Sequence, residues 1–99
     1  MRVTGPDFIA LQVSDLEASA KFYSEQLGLE RAAQSPPGAV VFDTAPVPFA
    51  VRESTVDLQA VGSLGWGIAL WLKADDSQAL HDRLADAGVR MIKIGRAHV

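Results

Sequence analysis

An α+β fold is what this 99-residue sequence predicts, on three observations. Short apolar, β-branched runs alternate with two stretches of helical periodicity. Each helical stretch opens at Ser or Asp and closes at Gly. The order strand, capped helix, Gly, strand then occurs twice, with Asp15 and Gly28 recurring as Asp75 and Gly88 at an offset of 60. Two βαβ units in any α+β chain would share that plan, so internal duplication and coincidence both stay open.

The elements follow in order. Phe8 to Val13 alternates as a strand, with Ile9, Leu11 and Val13 on one face and Phe8, Ala10 and Gln12 on the other. Ser14 and Glu17 fit a capping box that opens a helix. Its buried stripe is Leu16, Ala20, Tyr23 and Leu27, and Gly28 suits a left-handed cap. Residues 29–34 read as a short strand ended by Ser35-Pro36-Pro37-Gly38, and 39–42 as the next. Residues 47–52 form another strand, which Pro48 assigns to an edge or a bulge. Residues 54–65 connect the halves, with a helical turn near Val56 to Val61. Ile68 to Leu72 is the most apolar strand. Asp75, Asp76 and Ser77 offer caps for a helix through Ala87, with Ala79 or Leu80, Leu84 and Ala87 inward. Gly88 closes it before a strand beginning at Val89.

Composition bounds the function. Apolar residues make up 48% and charged residues 21%, which excludes wholesale disorder, and the length suits one domain. Nine Lys+Arg against twelve Asp+Glu leave a net charge of −3 with no basic cluster, so nucleic acid is not an expected partner. The sequence has no cysteine, which removes disulfides and thiolate chemistry. No apolar run approaches the roughly 20 residues of a membrane helix, and Met1 to Asp7 has no hydrophobic signal region. A soluble cytoplasmic protein is expected.

Ile9 to Ser19 (IALQVSDLEAS), Phe22-Tyr23 and Leu27-Gly28-Leu29 resemble the opening of the vicinal oxygen chelate superfamily of glyoxalase I, bleomycin-resistance proteins, fosfomycin-resistance enzymes and extradiol dioxygenases. Gly67-Ile68-Ala69-Leu70 and Ala85 to Val89 are similar to landmarks of its second half, so the likeness covers residues 7–92. It implies paired βαβββ modules with curled mixed sheets around a cavity. On that plan residues 7–53 are module one, 54–65 a linker and 66–92 an incomplete module two, all in a single domain. Enzymes of the superfamily hold a divalent metal on the concave face. The resemblance carries the first-strand ligand position onto Phe8 and the second-module position onto Gly67. On the fourth strand Ala50 and Arg52 face inward, and Glu53 does so only if the register slips by one. Phenyl and hydrogen coordinate nothing, and an arginine repels a cation. His81 reads as a solvated helix residue and His98 has no partner at ligand spacing. No metal, cofactor or catalytic residue is therefore expected.

If the alternation holds, the concave wall that the resemblance implies carries Phe8, Ala10, Gln12, Ala50, Arg52, Gly67, Ala69, Trp71 and Lys73, with Trp66 close by at its mouth. Small residues leave room, aromatic rings give flat faces, and Gln12 and Arg52 donate hydrogen bonds. Such a wall suits a planar or partly anionic organic ligand, and cation–π contact with a cationic drug is also open. The aromatics also suit a self-filled core. Three functions follow: a metal-free binding protein sequestering an aromatic or apolar molecule, a glyoxalase-like metal-dependent lyase or dioxygenase, and a non-catalytic scaffold. The resemblance also leads us to expect two further strands after Ile92. Residues 93–99 read instead as a non-native tail, since Ile94 to Val99 match one frame of a sequencing-library adapter, as in a truncated metagenomic fragment. Unpaired edges at Ile68, Leu70 and Leu72 then predict a homodimer, with strands or modules exchanged.

Overall fold

The computed structural model describes residues 1–65, 68 and 70–91. Trp66, Gly67, Ile92, His98 and the tail at 93–99 lie outside the described residues. The chain divides into two units, Met1–Ala69 and Leu70–Val99.

In the first unit the apolar/polar alternation produces β1 (Ile9–Val13), with Ile9, Leu11 and Val13 half-buried and Ala10 and Gln12 exposed. A helix follows, α1 (Leu16–Lys21), continued by a π-helical turn (Phe22–Gln26). Then come β2 (Ala39–Phe42) and β3 (Phe49–Glu53). The sheet is mixed and open, in the order β1-β3-β2, with β1 parallel and β2 antiparallel to β3. Ala20, Phe42, Phe49 and Val51 form the buried core, and Ile9, Leu11, Leu16, Tyr23 and Val40 pack against it. Tyr23 sits edge-on to Phe49 at 5.0 Å between ring centres, and burial raises its hydroxyl pKa.

Four expectations change. Asp15, not Ser14, caps α1: its Oδ1 accepts from Ala18 N–H at 3.0 Å. Glu17 turns instead to Arg31, 3.7 Å away. The carboxylate adds a favourable charge at the positive helix end that a serine hydroxyl would not. Asp15→Ala is expected to cost about 0.5–2 kcal/mol in urea denaturation, with Asp15→Ser recovering most of it.

The π-helical turn is the second change. Leu27 N–H donates five residues back to Phe22 O at 3.1 Å, and the Ser24 hydroxyl donates to Ala20 O at 2.9 Å, competing for that carbonyl. Gly28 ends the element at φ +75°, as expected.

Third, the strand expected over 29–34 shrinks to one bridge, Arg31 to Phe42, flanked by Ala32 N–H to Val41 O and Asp43 N–H to Glu30 O, both at 2.8 Å. It stops there because the Ser35 hydroxyl accepts Val41 N–H at 2.9 Å, taking the donor the next ladder bond would need.

Fourth, Pro48 does not mark an edge, because β3 is the central strand. The proline stands one residue ahead of Phe49, where its missing N–H costs no ladder bond and its carbonyl accepts from Ile9 N–H at 3.1 Å.

The second unit contains α2 (Ser77–Asp86), capped by Asp76, whose Oδ1 accepts from Ala79 N–H at 2.9 Å. The caps Asp15 and Asp76 are thus 61 apart, whereas Gly28 and Gly88, at φ +75° and +86°, keep the offset of 60. Leu84 is buried and Leu80 half-buried, while Ala79 and Ala87 are exposed. The strands expected at 68–72 and from Val89 are not formed among the described residues, where Ile68, Leu70, Leu72 and Met91 are exposed. An apolar β-branched run becomes a strand only when a neighbour supplies the ladder.

On the outer face of α2, hydrogen bonds from His81 (3.2 Å) and Gln78 (3.0 Å) hold the Asp82 carboxyl below its ordinary 3.8. A depressed carboxyl stabilises the fold above its unfolded pKa and loses that contribution as pH falls through the folded value. In an NMR titration His81→Ala is expected to move the Asp82 midpoint up towards 3.8.

Candidate functional site

One face of the first sheet packs on α1 and the other is open. Strand register fixes which side chains share the open face: Ala10 stands beside Ala50, and Gln12 beside Arg52. From β2, Val41 flanks Ala50 and Ala39 flanks Arg52. Ala50 is 1% exposed yet lies outside the core cluster on the helix side, as its position mid-sheet requires. Phe8 immediately precedes β1 and is half-exposed. The structure therefore brings together Ala10, Gln12, Ala50 and Arg52, with Phe8 at their head. Trp71 belongs to the second unit and is 79% exposed. Trp66, Gly67 and Ala69, also of the expected wall, are outside the described residues.

The two polar side chains differ in how they are held. Gln12 Oε1 accepts Thr55 N–H at 3.0 Å, with the hydroxyls of Ser54 and Thr55 at 3.2 and 3.4 Å. It clamps the chain leaving β3 across the end of the sheet. Arg52 donates from Nε to Glu53 O at 3.4 Å and meets no carboxylate among the described residues.

A divalent metal does not fit this face. Phe8 offers a ring at the first-strand position. Glu53, next in sequence to Arg52, shares its face with Phe49 and Val51, the core side; a Cβ on Gly38 would stand 3.0 Å from its Oε2. The register slip that would turn Glu53 to the open face is not present, because Glu53 pairs with Val13. Among the described residues no group of three His, Cys, Asp or Glu is placed to hold an ion.

A second concavity was not foreseen. An open cleft of about 630 Å³ lies beyond the carboxyl ends of β1 and β3, bounded by Val13, Asp15, Leu16, Glu53, Val56 and Leu58. The parallel pairing of β1 and β3 creates it, since both strands then end on the same side; a sequence shows that only once the pairing partner is known.

A helical crossover and a sheet in which β3 returns parallel beside β1 make the first unit an α+β module. The model of the Glyoxalase/Bleomycin resistance protein/Dioxygenase superfamily matches residues 5–99, and the chain belongs to that superfamily. A structure from the mobile metagenome of V. Pseudocholerae, VPC_CASS1, is similar at TM-score 0.64 and 14% identity, covering 94% of this chain and 74% of that one. TnmS3, an antibiotic binding protein from Streptomyces sp. CB03234, is similar at 0.61 and 24% identity, covering 89% and 74%. The bleomycin resistance determinant encoded on the transposon Tn5 is similar at 0.59 and 18% identity, covering 94% and 72%. These likenesses show the fold. Among curated proteins nothing matches. No helix among the described residues is long and apolar enough to cross a membrane.

Proposed function

We propose that the chain is a metal-free binding protein that sequesters a small organic molecule with a flat aromatic or apolar body, making and breaking no bond. The observation that carries this reading is the register of the open face, where the small pair Ala10 and Ala50 adjoins the polar pair Gln12 and Arg52. A flat ligand can lie over the exposed Ala10 and the Phe8 ring while the polar pair fixes its edge. The half-exposed Phe8 ring offers stacking, about 0.5–1.5 kcal/mol beyond burial. Superfamily membership and the likeness in fold to an antibiotic binding protein support the reading.

The test is a tryptophan fluorescence titration against planar antibiotics and hydrophobic metabolites, paired with metal analysis of the isolated protein. Saturable quenching by at least one compound, unchanged by chelator, is expected. Stoichiometric Zn, Ni, Mn or Fe whose removal abolishes binding would overturn the proposal, as would no quenching by any compound.

We propose further that the protein is a homodimer. Ile68, Leu70 and Leu72 are 60%, 39% and 56% exposed, apolar surface of the kind that association covers. Light scattering is expected to give twice the chain mass at micromolar concentration; a compact monomer would count against it.

A further inference from the structure

Resting on the ligand reading above, we infer that Gln12 is a selectivity residue that, with Arg52, makes the polar end of the open face donor-rich and positively charged, so that the site takes anionic or carbonyl-bearing planar ligands and discriminates against cationic ones. The argument starts from the Gln12 amide. One end carries an acceptor and the other two donors. Thr55 contributes a backbone N–H, which can only donate, so the atom it meets at 3.0 Å is the amide oxygen. The Thr55 hydroxyl reinforces that orientation at 3.4 Å, while the single Ser54 proton goes to Val56 O at 2.5 Å. The loop after β3 thereby consumes the one acceptor this side chain has.

What remains for a ligand is the NH2 end, which makes no hydrogen bond to any described residue. Its neighbour on β3 is the Arg52 guanidinium, five donors and no acceptor, with only Nε engaged, by Glu53 O. The remaining side chains on the face are Ala10, Ala50, Ala39 and Val41, which carry no acceptor, and the Ser54 and Thr55 hydroxyls beside Gln12 are neutral. The Glu53 carboxylate, next in sequence to Arg52, is turned to the other face. Donors in excess, one of them charged, hold a carboxylate, sulfonate or quinone-type carbonyl, and the guanidinium repels an ammonium, to which only neutral hydroxyls could accept.

The test uses a matched pair on one ring system, anthracene carboxylate and anthracene methylammonium, titrated by fluorescence into wild type, Gln12→Glu and Gln12→Leu. Wild type is expected to prefer the carboxylate by at least about tenfold. Gln12→Glu can still accept from Thr55, so hydrogen exchange at the Thr55 amide should stay slow. It removes both donors and adds a charge beside Arg52, so carboxylate affinity should fall by about tenfold or more and the preference narrow or reverse. Gln12→Leu should speed Thr55 exchange, which reports the clamp separately from the selectivity. Equal binding of the two probes by wild type, or a Gln12→Glu protein that keeps the wild-type preference, overturns the inference and leaves the binding reading standing. Wild type that binds neither ring overturns both.

Discussion

Phe42→Ala is expected to destabilise the protein by about 3–5 kcal/mol, against a total of about 5–15 kcal/mol for an ordinary domain. Phe42 is 0% exposed, and it is one of four residues that form the core cluster. Its ring stacks on Phe49 and leans on Tyr23, both 6.0 Å away between centres. The same residue terminates β2, pairs with Phe49 across the ladder and receives the bridge from Arg31. Truncation leaves a void between the π-helical turn and the sheet, and the flanking aromatics are too large to close it by rotamer change alone. The melting temperature should drop by more than about 10 °C, since each kcal/mol is worth about 4–8 °C at this size. Phe42→Leu, keeping most of the volume, should lose less than half as much. A fall of under about 1 kcal/mol for Phe42→Ala in urea denaturation would mean that this ring does not anchor the core.

What the sequence made legible divides along a physical line. Features set by a few adjacent residues were readable: the two faces of β1, the stripe of Leu16, Ala20 and Tyr23, and the left-handed stop at Gly28. Features set by a competitor for one hydrogen bond were not. Ser35 takes the Val41 N–H and reduces an expected strand to a bridge, and Asp15 displaces Ser14 as cap by one position. Nothing in residue type ranks those competitors; the path of the chain does. The candidate site shows the same split. Ala10, Gln12, Ala50 and Arg52 were placed on one face by alternation together with the family resemblance, and the register sets them side by side. The clamp from Gln12 to Thr55 spans 43 residues, and no local pattern announces it. The cleft past the strand ends depends in the same way on a parallel pairing that only the fold supplies.

Ala20→Leu should cost about 1–3 kcal/mol, by overfilling rather than emptying the same core. Ala20 is 0% exposed on α1, and that helix packs on β3 and β2. A methyl at this point lets the helix backbone sit close to Phe42, Phe49 and Val51. Three more carbons have nowhere to go, because the Tyr23 ring lies only 5.0 Å from Phe49 and occupies the adjoining space. Relief requires α1 to lift from the sheet, which weakens the Tyr23 contacts and disturbs the Ser24 hydroxyl bond to Ala20 O. The control is Ala18→Leu, an exposed position on the same helix, where the substitution makes the same small change in helix propensity without overfilling the core; it should change stability by less than about 0.5 kcal/mol. Leucine is a good helix former, so a loss at Ala20 together with neutrality at Ala18 isolates packing as the cause. Near-ultraviolet circular dichroism offers a second readout, since a lifted helix changes the environment of Tyr23 before the backbone unfolds. Equal effects of the two substitutions would show that helix propensity, and not the closeness of α1 to the sheet, governs this half of the molecule.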